Sequence, residues 1–280
     1  MKAAALLAAA LGSGACVTST TMLQTARPAD GGRVGLGMSV PISTRFVSEL
    51  AGLAGTASDR LSEAEDAGRP VTEEEQQEAM EALMATVLFQ SPPVTELSGR
   101  VGLADDLDFG LRFAGPAIRG DAKYDFLGAS DDHLHLAGIL GYAYHTDIGA
   151  SIASSVYGLA ERFDLAEYSR HDLDAALLLS NDSGSWFTGY LGARYLAAFA
   201  SFEGRLADAL EAESGRIRTD TSAVIHHVGG TAGMQASVYW FRFLLELTVL
   251  KVFFEPTILG RRFDLGGYLI SPGVGIAAEF

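Results

Sequence analysis

Phe241-Arg242-Phe243-Leu244-Leu245-Glu246-Leu247-Thr248-Val249 places Phe241, Phe243, Leu245, Leu247 and Val249 on one side of an extended chain and Arg242, Glu246 and Thr248 on the other. Side chains alternate across a strand with period two, so the stretch has one apolar and one charged face. Residues 241–254 are also the strongest candidate for a membrane-crossing helix, but the run is too short and is interrupted by Arg242, Glu246 and Lys251. The same alternation recurs upstream. In 32–43 it selects Val34, Leu36, Met38, Val40 and Ile42. In 107–113, Leu107, Phe109, Leu111 and Phe113 oppose Asp108 and Arg112. In 118–126, Ile118, Tyr124 and Phe126 oppose Arg119, Asp121, Lys123 and Asp125. Strands of about nine to eleven residues are the length a tilted strand needs to cross a bilayer.

The polar face separates two kinds of barrel. In a soluble barrel it meets water and needs no balance, whereas in a narrow membrane-barrel lumen charges must pair. Over 95–126 that face carries Glu96, Asp108, Asp121 and Asp125 against Arg100, Arg112, Arg119 and Lys123, four acids to four bases. The chain as a whole has a formal net charge of −15 over 280 residues. A neutral face in so acidic a chain points to a paired lumen. Arg242 and Glu246 extend the same network.

Composition sets further bounds. The chain is 48% hydrophobic and 20% charged, with a mean hydropathy of +0.19, which excludes wholesale disorder. Its acidity argues against nucleic acid as a partner. One cysteine excludes a disulfide framework and a cysteine-built zinc cluster. At the amino terminus, Lys2 and the apolar run 3–11 lead into Gly12-Ser13-Gly14-Ala15 and Cys16, the form of a secretory signal spanning 1–15. Residues 16–31 lack periodicity and read as a polar tether.

Ten segments read as strands: 32–43, 95–103, 107–114, 117–127, 133–145, 171–180, 186–200, 223–236, 241–253 and 268–280. Residues 151–163 are a doubtful eleventh, because Ile152, Val156, Leu159 and Phe163 have helical spacing. With ten strands, connections alternate between short turns and long loops, 115–116 excepted, and Trp186 and Trp240 both border short turns as an interfacial aromatic girdle. The long first connection, 44–94, reads as a helical hairpin. Phe46, Leu50, Leu53, Ala57, Leu61 and Ala64 form one stripe, and Thr72 with Glu75 has capping-box spacing for a second helix. Between Asp59 and Glu81 lie nine acids and two arginines, a net −7. This is either a solvated cap or a surface for a partner or cations.

The final strand alternates Tyr268, Ile270, Val274 and Ile276 up to a terminal Phe280. It resembles the carboxy-terminal signal of Gram-negative outer-membrane β-barrel proteins, in which an aromatic last residue is read by the barrel insertion machinery. The hairpin 102–110 is similar to others in that family. The 1–16 segment resembles a lipoprotein signal, with Ser13 where such signals usually carry leucine. The resemblance implies acylation of Cys16, an outer-membrane location, lipid as the surrounding partner and a closed antiparallel transmembrane barrel over 32–280.

Other chemistry is sparse. His133 and His135 share a face near Asp131 and Asp132, a spacing a divalent metal could use, though two histidines at a rim more often serve as polar ends. His226 and His227 point to opposite faces. His145 and Ser151 lack a third group for catalysis. The expectation is therefore a non-enzymatic barrel without cofactor or bound metal. It is a structural or interaction barrel displaying loops above a charge-filled lumen. The alternatives are a narrow channel for small polar solutes, and a soluble lipocalin-like barrel binding an apolar ligand.

Overall fold

The computed structural model describes residues 21–29, 31–40, 42–43, 94–114, 117–127, 133–145, 163–181, 186–206, 218–255, 257–258, 261–262 and 266–280. Of the first connection it describes 56, 59–64, 66–72, 74–75 and 78. Ten long strands form one antiparallel sheet: β1 (Gly32–Ser39), β2 (Val94–Ala104), β3 (Leu107–Ala114), β4 (Ala117–Asp125) and β5 (Leu134–His145). They are followed by β6 (Phe163–Asn181), β7 (Phe187–Leu206), β8 (Arg218–Val238), β9 (Phe241–Phe253) and β10 (Gly267–Glu279). Each strand pairs with its sequence neighbour, and β1 pairs with β10 as well as β2, so the sheet closes on itself. At the seam Leu36 faces Ile276, and Gly32 and Phe280 exchange two main-chain hydrogen bonds of 2.9 Å. Ile42–Ser43 continues β1 after a break and pairs with β10.

The alternation decides which side is which. Along β9 the odd-numbered Phe241, Phe243, Leu245, Leu247 and Val249 are 39–50% exposed, while Glu246 is 2% exposed. Val34, Leu36, Phe109, Leu111, Ile118, Leu140, Leu177 and Leu191 likewise point outward. Apolar outside and charged inside is the inverse of a soluble barrel, and it is the arrangement of a barrel whose belt faces lipid. Trp186, Tyr239, Trp240 and Phe280 ring the short-turn end. Tyr142, Tyr144, Tyr195, Phe199, Phe253 and Tyr268 ring the other. Phe187 and Phe199 lie twelve residues apart on β7. With a strand rise near 3.3 Å and a tilt near 40°, the two girdles are about 30 Å apart.

Three strands are longer than bilayer crossing demands. β6, β7 and β8 run for 19, 20 and 21 residues. The segment expected at 171–180 begins at Phe163, and residues 151–162 lie outside the described residues. Beyond the outer girdle the exterior turns polar: Ser169 and Ser201 hydrogen-bond at 2.7 Å, and Ser201 pairs with Ser222. Above that ladder the sheet has left the apolar belt, and its length is no longer set by bilayer thickness.

The amino-terminal segment differs from the tether expected over 16–31. From Thr21 to Ala29 it lies inside the barrel, with Thr21, Met22, Gln24, Thr25, Ala26 and Ala29 all buried. A stretch without periodicity suits this position, because most of its side chains meet the lumen wall, with Leu23 half-buried and Arg27 exposed. Met22 and Ala26 form a small apolar cluster with Ala137, Ile139, Ala176 and Leu178.

Candidate functional site

The lumen is built by the inward-facing positions of the strands. Among the described residues its buried charges are Glu96, Asp108, Asp121, Asp125, Asp172, Asp174 and Glu246 against Arg33, Arg100, Arg112, Arg119, Lys123, Arg170 and Arg194, seven of each sign. They pair in tiers. Near the short-turn end, Asp108 accepts from Arg100 and pairs with Lys123 at 3.1 Å, while Arg100 Nη1 donates to Asp121 at 2.7 Å. One tier up, Arg112 pairs with Glu96 at 3.2 Å. Asp174 then bridges Arg119 at 2.5 Å and Arg194, whose Nε and Nη2 reach its two oxygens at 3.0 and 2.7 Å. Towards the loop end, Asp172 accepts from Arg170 Nε at 2.8 Å and contacts His145 Nε2 at 3.0 Å. Removing one partner of such a pair leaves the other charge buried alone, so the tiers are mutually dependent.

The segment Thr21–Ala29 threads this network, which binds its main chain. Glu246 accepts from the consecutive amides of Met22 at 2.7 Å and Leu23 at 2.6 Å. Leu23 has φ of +46°, the left-handed conformation that turns successive N–H groups towards one anion. Tyr190 Oη and Thr248 Oγ1 donate to the same carboxylate at 2.8 and 2.9 Å. Arg112 donates to the carbonyls of Thr21 and Met22, and Lys123 to those of Thr25 and Arg27. The amides of Ala26 and Ala29 donate to Ser180 Oγ and Asp108 Oδ2. Beside the segment, a cavity of about 30 Å³ is lined by Gln24, Arg33, Ser98 and Gly99. A second, of about 20 Å³, lies at Arg119, His145, Asp172 and Leu196.

The eight charges expected over 95–126 all lie in this lumen, together with Glu246. Arg242 sits at the rim, half-exposed and paired with Glu279 at 3.0 Å. Trp186 and Trp240 are exposed at the short-turn end, stacked edgewise or tilted on Phe187 and Phe241. Tyr268, Val274, Ile276 and Phe280 are exposed on the lipid side and Ile270 is half-buried. The pattern reading missed Arg170, Asp172 and Asp174, although their spacing of two in β6 is the signal used elsewhere, and it missed Arg194. It also missed the plug, for which periodicity gives no sign.

The histidines separate. His135 turns inward to Asp125 at 2.6 Å, while His133 is exposed. Asp131 and Asp132 lie outside the described residues, as do Ser151 and Cys16. His145 is inside the lumen on Asp172. His227 is buried, whereas His226 is outside, stacked on Tyr195 and hydrogen-bonded to its hydroxyl at 2.8 Å. Among the described residues no group of three or more histidine, cysteine or acidic side chains is placed to hold a metal. In the first connection, Thr72 and Glu75 make the reciprocal bonds of a capping box, at 2.9 and 3.3 Å. Arg69, forked onto Glu75 at 2.6 and 2.9 Å, is the main cause holding that carboxyl down at about 2.

No family model matches the chain, and no curated protein matches it. Solved structures do. Neisserial surface protein A (NspA) aligns over 89% of this chain and 96% of its own, at 10% identity and a TM-score of 0.33. The outer membrane protease OmpT from Escherichia coli aligns over 94% and 100%, at 10% identity and 0.42. Ail, the attachment invasion locus protein of Yersinia pestis, in complex with the heparin analogue sucrose octasulfate, aligns over 89% and 97%, at 9% identity and 0.28. In this chain itself a closed ten-strand sheet carries a lipid-facing belt between two aromatic girdles around a charged interior. It has the architecture of an integral membrane β-barrel.

Proposed function

We propose that this protein is a non-conducting structural and interaction barrel, whose lumen is sealed and whose long connections carry its contacts. The carrying observation is the lumen filling, in which the buried acids and bases of the described residues balance and most of them pair, while Thr21–Ala29 occupies the space between them. A lumen of ten strands is narrow to begin with. A solute channel would need a continuous water path past Arg112, which is engaged by Glu96 and by two carbonyls of the plug. A lipocalin-like binder of an apolar ligand would need an apolar interior, and here charges take that place.

With the lumen closed, recognition falls to the loop end. The acidic first connection, net −7 between Asp59 and Glu81, suits a basic partner. The amino-terminal signal with acylation at Cys16, and delivery by the barrel insertion machinery through Phe280, complete this reading; it assigns no catalysis and no cofactor.

The test is single-channel recording on the purified full chain in planar bilayers. No reproducible conductance steps are expected for the wild type. Steps that appear in the wild type and change in size with Arg112→Ala would overturn the sealed reading.

A further inference from the structure

The plug contacts have an unusual composition. Four amides of the segment, those of Met22, Leu23, Ala26 and Ala29, donate to wall side chains. Four carbonyls, those of Thr21, Met22, Thr25 and Arg27, accept from them. The wall therefore meets the backbone on both its donor and its acceptor side. Side chains are treated differently. The carboxamide of Gln24 is buried, yet neither its nitrogen nor its oxygen has a hydrogen-bond partner among the described residues. Thr21 Oγ1, in contrast, donates to Glu96 at 3.2 Å. The donors on the wall are Arg112 and Lys123, and the acceptors are Glu246, Asp108 and Ser180; they come from four different strands and converge on one line.

The wall is also shaped to the segment. A Cβ on Gly273 would lie 2.8 Å from Thr21 Cγ2 and 3.3 Å from its Cβ, a stiff β-branched neighbour that has no room to retreat. A Cβ on Gly37 would lie 2.5 Å from Leu23 Cδ1. Glycine weakens a strand interior and marks close approach of another chain. At Gly273 the close approach is the plug.

We propose that the lumen of this barrel is a peptide-binding site, filled in cis by Thr21–Ala29, which recognises the main chain of an extended segment rather than its side chains. The ligand class is an extended peptide with small or unbranched residues opposite Gly37 and Gly273. The carboxylate of Glu246 fixes its register by capturing two consecutive amides at a left-handed residue. The proposal goes beyond a sealed barrel, since a lumen could be sealed by its charges alone without any capacity to bind a peptide.

Leu23→Pro separates the site from its occupant. Proline removes the amide that Glu246 holds and cannot adopt a positive φ, yet it touches no wall residue. Purified full-length wild type, L23P and L23P/E246Q are compared in detergent, with the unboiled-gel shift as the check on folding. Release of the plug is read by amide exchange at Ala26 and Ala29, whose N–H groups the wall holds in the bound state. Occupancy of the site is read by anisotropy of a labelled synthetic peptide with the sequence of residues 21–29. The wild type is expected to exchange slowly at both amides and to bind no peptide. L23P is expected to exchange fast there and to bind the peptide saturably. Adding Glu246→Gln should weaken that binding about tenfold or more, the loss expected for charge-assisted hydrogen bonds. A peptide with alanine for Gln24 should bind within about threefold of the parent, as an unpaired side chain contributes little.

A folded L23P that still exchanges slowly at Ala26 and Ala29 would overturn the proposal, as would one that releases its plug and fails to bind the peptide. Equal binding by L23P and L23P/E246Q would do the same. Should L23P fail to fold, Gly273→Val expels Thr21 from the other side, and the amides of Ala26 and Ala29 should exchange fast. Amide exchange in the wild type needs no variant: Met22 and Leu23 should exchange slowly, and fast exchange there refutes a bound main chain.

Discussion

Asp174 shows how a single inward position governs its surroundings. It lies between Arg119 and Arg194, both almost wholly buried, forms an ion pair with each and accepts hydrogen bonds from Arg194. Neither guanidinium can lose its charge, so neutralising the aspartate leaves two cations facing one amide. Asp174→Asn is expected to destabilise the barrel by about 3–5 kcal/mol, the range for breaking a buried pair from one side. Pairing it with Arg194→Met, which removes one cation and fills its volume, should recover much of that loss. Urea unfolding midpoints of the detergent-folded proteins measure both. An Asp174→Asn midpoint equal to wild type would mean that the upper lumen is wet enough to hydrate the arginines. The sequence marks such residues through alternation alone. Glu96 and Arg112 are legible because they fall in short, clean strands, whereas Asp172 and Asp174 precede the apolar run 175–179 that blurs the alternation of their segment, and Arg170 lies one residue outside the segment expected at 171–180.

The strands themselves carry the next lesson. A period of two identifies which residues share a face, and it located ten strands and their order of pairing. It does not say where lipid stops. β6, β7 and β8 keep the ladder for 19 to 21 residues because main-chain pairing continues in water as readily as in a bilayer, and only the exterior side chains change. Leu177, on β6, is 53% exposed and lies about midway between the girdles. Ser201, on β7, lies two residues beyond Phe199 in the serine ladder. Leu177→Arg is expected to cost about 2–4 kcal/mol in lipid, whereas Ser201→Arg should cost about 0–1 kcal/mol, as for positions near or beyond the interface. Folding titrations into phospholipid vesicles give both values. Equal penalties would place the membrane boundary above Ser201 and make the long strands wholly membrane-embedded.

At the scale of the whole molecule, the closed topology was readable, but its occupant was not. A plug held by its main chain leaves no pattern in its side chains, which is why residues 21–29 resembled a tether; the only trace is in the wall, where glycines face inward at Gly37 and Gly273. The same distinction between main chain and side chain separates two roles at the carboxy terminus. Phe280 closes the barrel through its amide and carbonyl, each 2.9 Å from Gly32, while its ring is 79% exposed. A ring so exposed contributes little to the finished barrel, which suits the proposed reading of Phe280 by the insertion machinery before the barrel closes. Phe280→Ala should therefore leave the unfolding midpoint of the purified, refolded protein within about 1 kcal/mol of wild type, as expected for an exposed side chain away from strained or buried features. In cells the same variant should accumulate as unfolded, heat-unmodifiable chain, because the two main-chain bonds to Gly32 form only after insertion. Pulse-labelling with unboiled gels separates the two outcomes. Normal assembly in cells would remove the reason for the ring, and a large loss of stability in the refolded protein would show that the ring packs against the seam beside Gly32.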